Sequence, residues 1–223
     1  MMVDEVDPRA IEEIVRRVMD RLVREEPPTD PNRKAVRIGV SVRHLHLCQE
    51  HVEILFGQGY HLEPRNELYQ KDEYASTSVV TLVGPRMRCM DQVRVLGPTR
   101  DQSQVEVSRT DAIFLGIDPP VRPSGNHEGT GGVIVVGPVG VIHLKRGVIR
   151  ANRHIHIHTS DAQRWGLKDN DTVRVRIANV HKSTILEGVQ VRVRDSFRAE
   201  MHVDTDDANA CSVSTGDFAE ILD

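Results

Sequence analysis

Apolar residues recur at every third or fourth position between residues 7 and 26, the spacing of one face of an α-helix. Asp7 and Pro8 are typical of a helix start, as N-cap and first helical residue. Prolines at 27–31 end this pattern and predict a stiff linker. Segment 1–35 is therefore predicted to be an amphipathic helix and linker. The helix either packs on the chain's own core or docks into a partner, and the linker favours docking.

From residue 36 onward the hydrophobic pattern changes to the period of two that marks β-strands. It is clearest in VRVRI at 173–177 and VQVRVR at 189–194. Strands are predicted at Ser78–Val83, Gln92–Leu96, Gly132–Val136, Thr172–Ile177 and Val189–Val193. Helical spacing is confined to short pieces at 49–56, 110–115 and 160–165. The body is predicted to be mainly β, built from barrels or sandwiches with short capping helices.

One short unit recurs four times in this body, as LHLCQEHVEILFG, VEVSRTDAIFLG, IHIHTSDAQRWG and MHVDTDDANACS. Three copies carry Asp and then Ala at the same distance after the aligned position. We interpret each copy as a strand, a tight turn and a short helix, with that Asp as a plausible cap. The aligned position is held by His46, Glu106, His156 and His202.

All four aligned residues are of types that bind zinc, and two of them belong to His-x-His pairs. Residues two apart on a strand share a face, so both imidazoles of a pair can reach one ion at about 2.0–2.1 Å. One such pair is often an ordinary polar face, but two pairs with a Glu and a His in the same frame favour metal. The candidate ligands are His44, His46, Glu106, His154, His156 and His202. They suffice for two three-ligand sites with an open position each, the catalytic arrangement.

Several neighbouring residues have more ambiguous patterns. Arg100 follows a Gly-Pro turn six residues before Glu106, where its guanidinium either clamps a phosphate or is an ordinary surface group. Arg43 and Arg153 precede the histidine pairs on the opposite strand face and are predicted to form ion pairs or line a rim. Three further residues stay open: His158 and Cys48 as ligands or structural neighbours, and Asp204 as the acceptor that orients His202.

Composition narrows the function classes. The net charge is −4, the pI is about 6.3 and aromatic residues make up 4%, which disfavours nucleic-acid binding. No apolar run reaches the roughly 18 residues of a membrane helix, and the first residues do not resemble a secretory signal. Three widely spaced cysteines fit a reducing compartment rather than a disulfide framework.

Four motifs together resemble the PduL-type phosphate propanoyltransferases, the phosphotransacylases of bacterial microcompartments. They are RHLHL at 43–47, GPTRDQSQVEVSRTDA at 97–112, RHIHI at 153–157 and HVDTDDANA at 202–210. The resemblance covers about residues 36–223. It implies two tandem β-barrels, the first formed by 36–46 plus 155–223 and the second by 47–154.

The resemblance also implies a two-zinc site at the barrel junction and the reaction acyl-CoA + phosphate ⇌ acyl phosphate + CoA. Carried over by motif, His44, His46 and Glu106 hold one zinc, and the other three candidate histidines hold the second. Arg100 binds phosphate. The implied location is a microcompartment in the bacterial cytoplasm, reached through docking of residues 7–26 on shell or core enzymes, and a homo-oligomer is expected. The residues that bind coenzyme A and the acyl-chain preference are not readable.

The predicted chemistry is direct attack of phosphate on a thioester, because none of the three cysteines stands beside a clear base. Three other interpretations compete. His44, His46 and Glu50 match the first metal motif of cupins, which predicts an oxygenase or a binding module. A two-zinc hydrolase would release free acid, and a non-catalytic shell component would turn over no acyl-CoA.

Overall fold

The computed structural model describes residues 11–13, 15, 34–178 and 182–222. Residues 11–13 and 15 are helical, in agreement with the predicted helix at 7–26, and Ile11 and Val15 are about half exposed. The rest of that predicted helix and the proline linker lie outside the described residues. Within the described chain, no helix is long and apolar enough to cross a membrane.

The body is mainly β, as the alternating pattern predicted. The strands are β1 Ala35–Ser41, β2 His44–His46, β3 Pro64–Glu67, β4 Tyr74–Val83, β5 Cys89–Gly97, β6 Gln104–Glu106, β7 Val121–Arg122, β8 Val133–Val136, β9 Val141–Leu144, β10 Val148–Ala151, β11 His154–Ile157, β12 Thr172–Ile177, β13 Thr184–Val193, β14 Glu200–Asp204 and β15 Phe218–Ile221. The helices of the body are α1 Gln49–Phe56, α2 Arg109–Leu115, α3 Thr159–Trp165 and α4 Thr205–Cys211.

These strands form two units, each with its own hydrophobic core. The first is a closed barrel in the order β1-β14-β11-β13-β12-β15. The second is a curled, half-barrel sheet of nine strands in the order β7-β10-β6-β2-β5-β4-β8-β9, with β3 beside β4. In β12, buried apolar residues alternate with exposed polar ones, so one strand face fills the barrel. The predicted strands at 78–83, 92–96, 132–136, 172–177 and 189–193 all lie within observed strands, apart from Gly132.

The chain crosses between the units at two equivalent places. It leaves the barrel strand β1 and enters the second sheet at β2, and it leaves β10 of the second sheet and enters the barrel at β11. The predicted boundary assigned 36–46 to the first barrel, but β2 pairs with β5 and β6 of the second sheet. The first crossing therefore lies before His44, because β2 completes its ladders only in the second unit. Each histidine pair begins directly after a crossing.

The four recurring units are observed as predicted, since α1, α2, α3 and α4 follow β2, β6, β11 and β14. The predicted aspartates are confirmed as caps only in part, at Asp111. The Ser108 side chain and the Asp204 side chain cap α2 and α4, and Asp111 returns a bond to the Ser108 backbone in a capping box. Gly116 ends α2 in the left-handed conformation (φ +77°), which glycine adopts without steric cost.

Candidate active site

Each histidine pair points out of a core because the residue between its two histidines points in. Leu45 and Ile155 are fully buried in the two cores. The His44 Nδ1 donates to the carbonyl of Val42, and the His154 Nδ1 donates to the carbonyl of Asn152, both at 2.8 Å. A carbonyl only accepts, so the proton is on Nδ1 and the Nε2 lone pair is free to bind a ligand. Such a bond is typical of metal-binding histidines.

The first candidate cluster consists of His44, His46 and Glu106, whose ligand atoms all lie within 4.8 Å of one another. The register of β2 on β6 places His44 directly opposite Glu106, with the Nε2 3.6 Å from the Oε2. The other carboxylate oxygen of Glu106 accepts from Gln104 at 2.6 Å and from Ser124 at 3.1 Å. In the part of the chain that the structure describes, this is the one set of three such residues that converges so closely.

The second candidate cluster is a triangle of imidazoles. The ring centroids of His154, His156 and His202 are 4.8, 4.8 and 4.9 Å apart. His202 lies opposite His154 in the register of β14 on β11, and its Nε2 donates to Glu200 Oε2 at 2.9 Å. Its partner is therefore Glu200 rather than the predicted Asp204. The His156 ring stacks on Phe197 at 4.1 Å.

The chemistry of both clusters fits zinc. Nitrogen and carboxylate donors in sets of three are the ligands of catalytic zinc sites. His46 Nδ1 and both ring nitrogens of His156 are buried without a hydrogen-bond partner among the described residues. Buried polar atoms are nearly always satisfied, so such unpaired nitrogens indicate a ligand.

Burial keeps these histidines in the neutral form that binds metal. It lowers the pKa of His46 well below its usual value, with help from His44 and Arg100. Burial, together with the charge of His202, lowers the pKa of His154 to about 4 and that of His156 to about 2. At neutral pH these rings therefore carry a free lone pair.

Glu106 joins the two clusters electrostatically. Burial by itself raises the pKa of the Glu106 carboxyl. The charges of His44, His154 and Arg100 and a hydrogen bond from Ser124 outweigh this effect, so the pKa lies below its usual value. His154 belongs to the other cluster, so the two clusters lie close together. All six predicted ligands line one cavity of about 700 Å³ between the two units.

Arg100 lines the same cavity, where the sequence predicted a phosphate clamp. Its backbone N–H donates to the carbonyl of Leu47 at 2.9 Å, and Leu47 directly follows the strand that carries the first histidine pair. Its guanidinium donates to Ser124 Oγ at 3.1 Å and lies 3.7 Å from Glu73. These two contacts fix the direction of the Arg100 guanidinium group.

The remaining predictions divide clearly. Arg43 and Arg153 form the expected ion pairs, with Asp111 at 3.1 Å and with Asp207 at 2.7 Å. His158 caps α3 and Cys48 precedes α1, and neither lines the cavity. Glu50, the ligand that the cupin interpretation needs, is exposed on α1 and lies outside the cluster.

Sequence reasoning missed several residues that line the cavity or support the ligands: Gln104, Ser124, Arg192, Arg194, Phe197 and Glu200. Arg192 and Arg194 had a usable signal, since in VQVRVR they alternate with core valines. Ser124 had none, because its loop carries no periodicity and the residue reaches Glu106 only through the tertiary fold.

The chain is similar to known proteins over nearly its whole length. The model of the phosphate propanoyltransferase family matches residues 37–214. A phosphate propanoyltransferase of Thermotoga maritima is 47% identical over 203 residues, which cover 91% of this chain and 93% of the relative. One from Lachnoclostridium phytofermentans is 47% identical over 212 residues, with coverages of 95% and 98%. One from Citrobacter freundii is 42% identical over 205 residues, with coverages of 92% and 92%. The chain, with its two crossed β units and shared cavity, therefore belongs to the phosphate propanoyltransferase family of transferase enzymes.

Proposed function

We propose that this enzyme transfers the acyl group of a short-chain acyl-CoA to inorganic phosphate, with propanoyl-CoA as the expected substrate. The observation that carries the proposal is the cavity of about 700 Å³ in which Arg100 accompanies six imidazole and carboxylate side chains. The reaction needs such a site, because it brings an anionic nucleophile to a thioester carbonyl and releases a thiolate. The name shared by the relatives supports the same reaction.

We propose further that the site holds two zinc ions. His44, His46 and Glu106 would hold one, and His154, His156 and His202 would hold the other. Bound zinc supplies Lewis-acid polarisation of an oxygen and stabilisation of a thiolate, which together lower the barrier by several kcal/mol. For the second ion the His202 imidazole would have to exchange its hydrogen bond to Glu200 for the metal.

The protein's own side chains position the reactants. The Arg100 guanidinium binds two oxygens of the incoming phosphate, and its bond to Ser124 fixes the direction of that fork. A phosphate oxygen attacks the thioester carbonyl, the carbon–sulfur bond breaks, and a new carbon–oxygen bond completes the acyl phosphate. The proton of HPO₄²⁻ leaves with the coenzyme A thiolate, so no other reactant is needed.

The test is turnover of propanoyl-CoA with and without phosphate, before and after chelation. Thiol release that depends on phosphate, with acyl phosphate visible by ³¹P NMR, is expected. Release of free propanoate without phosphate would identify a hydrolase instead, and no thiol release from metal-replete protein would point to a scaffold role. Loss of turnover on chelation and its return with Zn²⁺ would support the zinc sites.

Arg100 has its own test. We expect Arg100→Gln to raise the KM for phosphate about tenfold or more, because a charge-assisted hydrogen bond is worth about 1.5–3 kcal/mol. Zinc content, measured by elemental analysis, should not change. Arg146→Gln, at an exposed arginine of the second unit, is the matched control. An equal loss of bound zinc in Arg100→Gln would contradict a role in phosphate binding.

We also propose that residues 7–26 dock this enzyme to shell or core proteins of a microcompartment. Support comes from the helical residues of this segment, on which Ile11 and Val15 are about half exposed. Full-length Ile11→Glu/Val15→Glu should lose co-sedimentation with assembled shells, whereas Glu12→Gln should keep it. Light scattering on both variants tests the predicted homo-oligomer, and an unchanged mass would separate docking from self-association.

A further inference from the structure

Five arginines line the cavity, and four of them have a protein partner. Arg43 pairs with Asp111, and Arg94 donates to two backbone carbonyls of β4. Arg100 contacts Ser124 and Glu73. Arg194 lies over the ring of Phe197, 5.3 Å from its centroid. The fifth, Arg192, forms no hydrogen bond, ion pair or ring contact with any residue that the structure describes.

The strand register decides where the Arg192 side chain lies. Arg192 is the direct neighbour of His156 in the parallel pairing of β13 with β11. Neighbours in register share a face, and Val191 beside it is fully buried in the barrel core. Its guanidinium therefore extends from the barrel face that carries the second histidine pair, toward the cavity.

The charge of Arg192 is only partly compensated inside the protein. Burial lowers its pKa, and Arg194 and Arg100 add to that effect, although Asp169 and Glu106 act in the opposite direction. The Asp169 carboxylate already accepts the backbone N–H of Val193 at 2.8 Å. A half-buried cation near other cations is costly unless an anion joins it.

We propose that Arg192 binds the attacking phosphate together with Arg100, an inference that rests on the proposed function. Each unit then contributes one guanidinium, Arg100 from the second sheet and Arg192 from the barrel. Two guanidinium groups hold a doubly charged phosphate in one orientation, whereas a single guanidinium group leaves the phosphate free to rotate. The assignment to this phosphate rather than to those of coenzyme A follows from the position of Arg192 beside His156, with Arg100 and Glu106 near enough to act on its charge.

The test compares Arg192→Gln and Arg192→Lys with Arg176→Gln, an exposed arginine on barrel strand β12 that does not line the cavity. Arg192→Gln should raise the KM for phosphate about tenfold or more. The KM for propanoyl-CoA should change less than about twofold, with metal content and melting temperature unchanged. Arg192→Lys should fall between, because it keeps the charge but loses the fork.

An unchanged KM for phosphate would overturn the assignment, and so would a selective rise in the KM for propanoyl-CoA, which would place Arg192 on the phosphates of coenzyme A. If Arg192→Gln does not fold, Arg192→Lys decides by the same two constants. Calorimetric binding of inorganic phosphate to the metal-loaded wild type and variants separates the two hypotheses. A wild type that binds phosphate through Arg192 but forms no acyl phosphate would refute the proposed function alone.

Discussion

The two halves of the site are built alike but place their carboxylates differently. In each half a histidine pair follows a crossing, its first Nδ1 donates to the carbonyl two residues earlier, and an arginine pairs with an aspartate. In the first half the carboxylate is the predicted ligand Glu106, supported by the amide of Gln104. In the second half the predicted ligand is His202, and the carboxylate is Glu200, two residues earlier.

The fold gives the two halves the same strand positions, and the residue type at each position decides where the negative charge lies. Glu106 and Glu200 are both buried, on β6 and β14, and each contacts a potential ligand of its half. The first half has converged ligand atoms, whereas the second has converged rings with His202 turned to Glu200. An anionic and a neutral ligand set side by side would give two ions of different Lewis acidity.

The largest expected effect is loss of a metal ligand from either half. Glu106→Gln and His202→Gln should each reduce bound zinc from two ions to one and lower turnover about a thousandfold or more, since several kcal/mol of stabilisation are removed. Elemental analysis and turnover measure this. Glu187→Gln, at an exposed carboxylate of β13, is the control. If either variant still bound two zinc ions, the two halves would not each hold one ion as proposed.

Acid should act more strongly on the second half of the metal-free protein, which holds two histidines with lowered pKa values, His154 and His156, against one, His46, in the first. His154 has a pKa of about 4 when folded and about 6.5 when unfolded, so the unfolded chain binds more protons between these values. Stability therefore falls as pH drops from 6.5 to 4, by about 3 kcal/mol for this group. Glu106 has a lowered pKa, so its contribution is lost only at lower pH, as the pH falls through the folded value.

Urea unfolding at pH 7, 5.5 and 4.5 measures this effect. His154→Gln should make this fall in stability smaller, while His46 and His156, whose pKa values are also lowered, keep the rest of it. Glu106→Gln removes a charge that raises the pKa of His154, so it should not make the fall smaller. A wild type whose unfolding free energy is constant from pH 7 to 4.5 would contradict the buried, neutral state of the second cluster.

The smallest expected effect concerns the two arginine–aspartate pairs. Arg153 donates two bonds of 2.7 Å to Asp207, whereas Arg43 donates one of 3.1 Å to Asp111. Both arginines are partly exposed, which limits the gain, so double-mutant cycles should give about 1 kcal/mol for the first pair and about half of that for the second. Equal coupling energies would mean that bidentate geometry adds nothing here.

Local patterns predicted much of this molecule. The strand predicted at Thr172–Ile177 around the alternating VRVRI matches the observed bounds of β12, because a strand with one face on a core must alternate. The four-fold unit predicted the strand, turn and helix sequence of each copy. Together with the two His-x-His pairs it identified the six candidate ligands. The ion pairs of Arg43 and Arg153 followed from the opposite strand face.

Other features could not be read locally. The caps were only partly predicted, since Asp207 forms an ion pair with Arg153 while Asp204 caps α4, and Asp111 shares the cap of α2 with Ser108. The boundary near residue 46 was placed too late, because the ladder partners of β2 are residues 94–96 and 104–106, in another sheet.

The amino-acid sequence by itself determined which side chains offer lone pairs and on which strand face they stand, since both follow from residue type and a period of two. Only the tertiary structure decided that His44 meets Glu106 and that His154 meets His202. It also placed Ser124, Glu200 and Arg192 at the shared cavity. These contacts join segments far apart in the chain, so they depend on how the strands pair and on the two crossings, which no local pattern specifies.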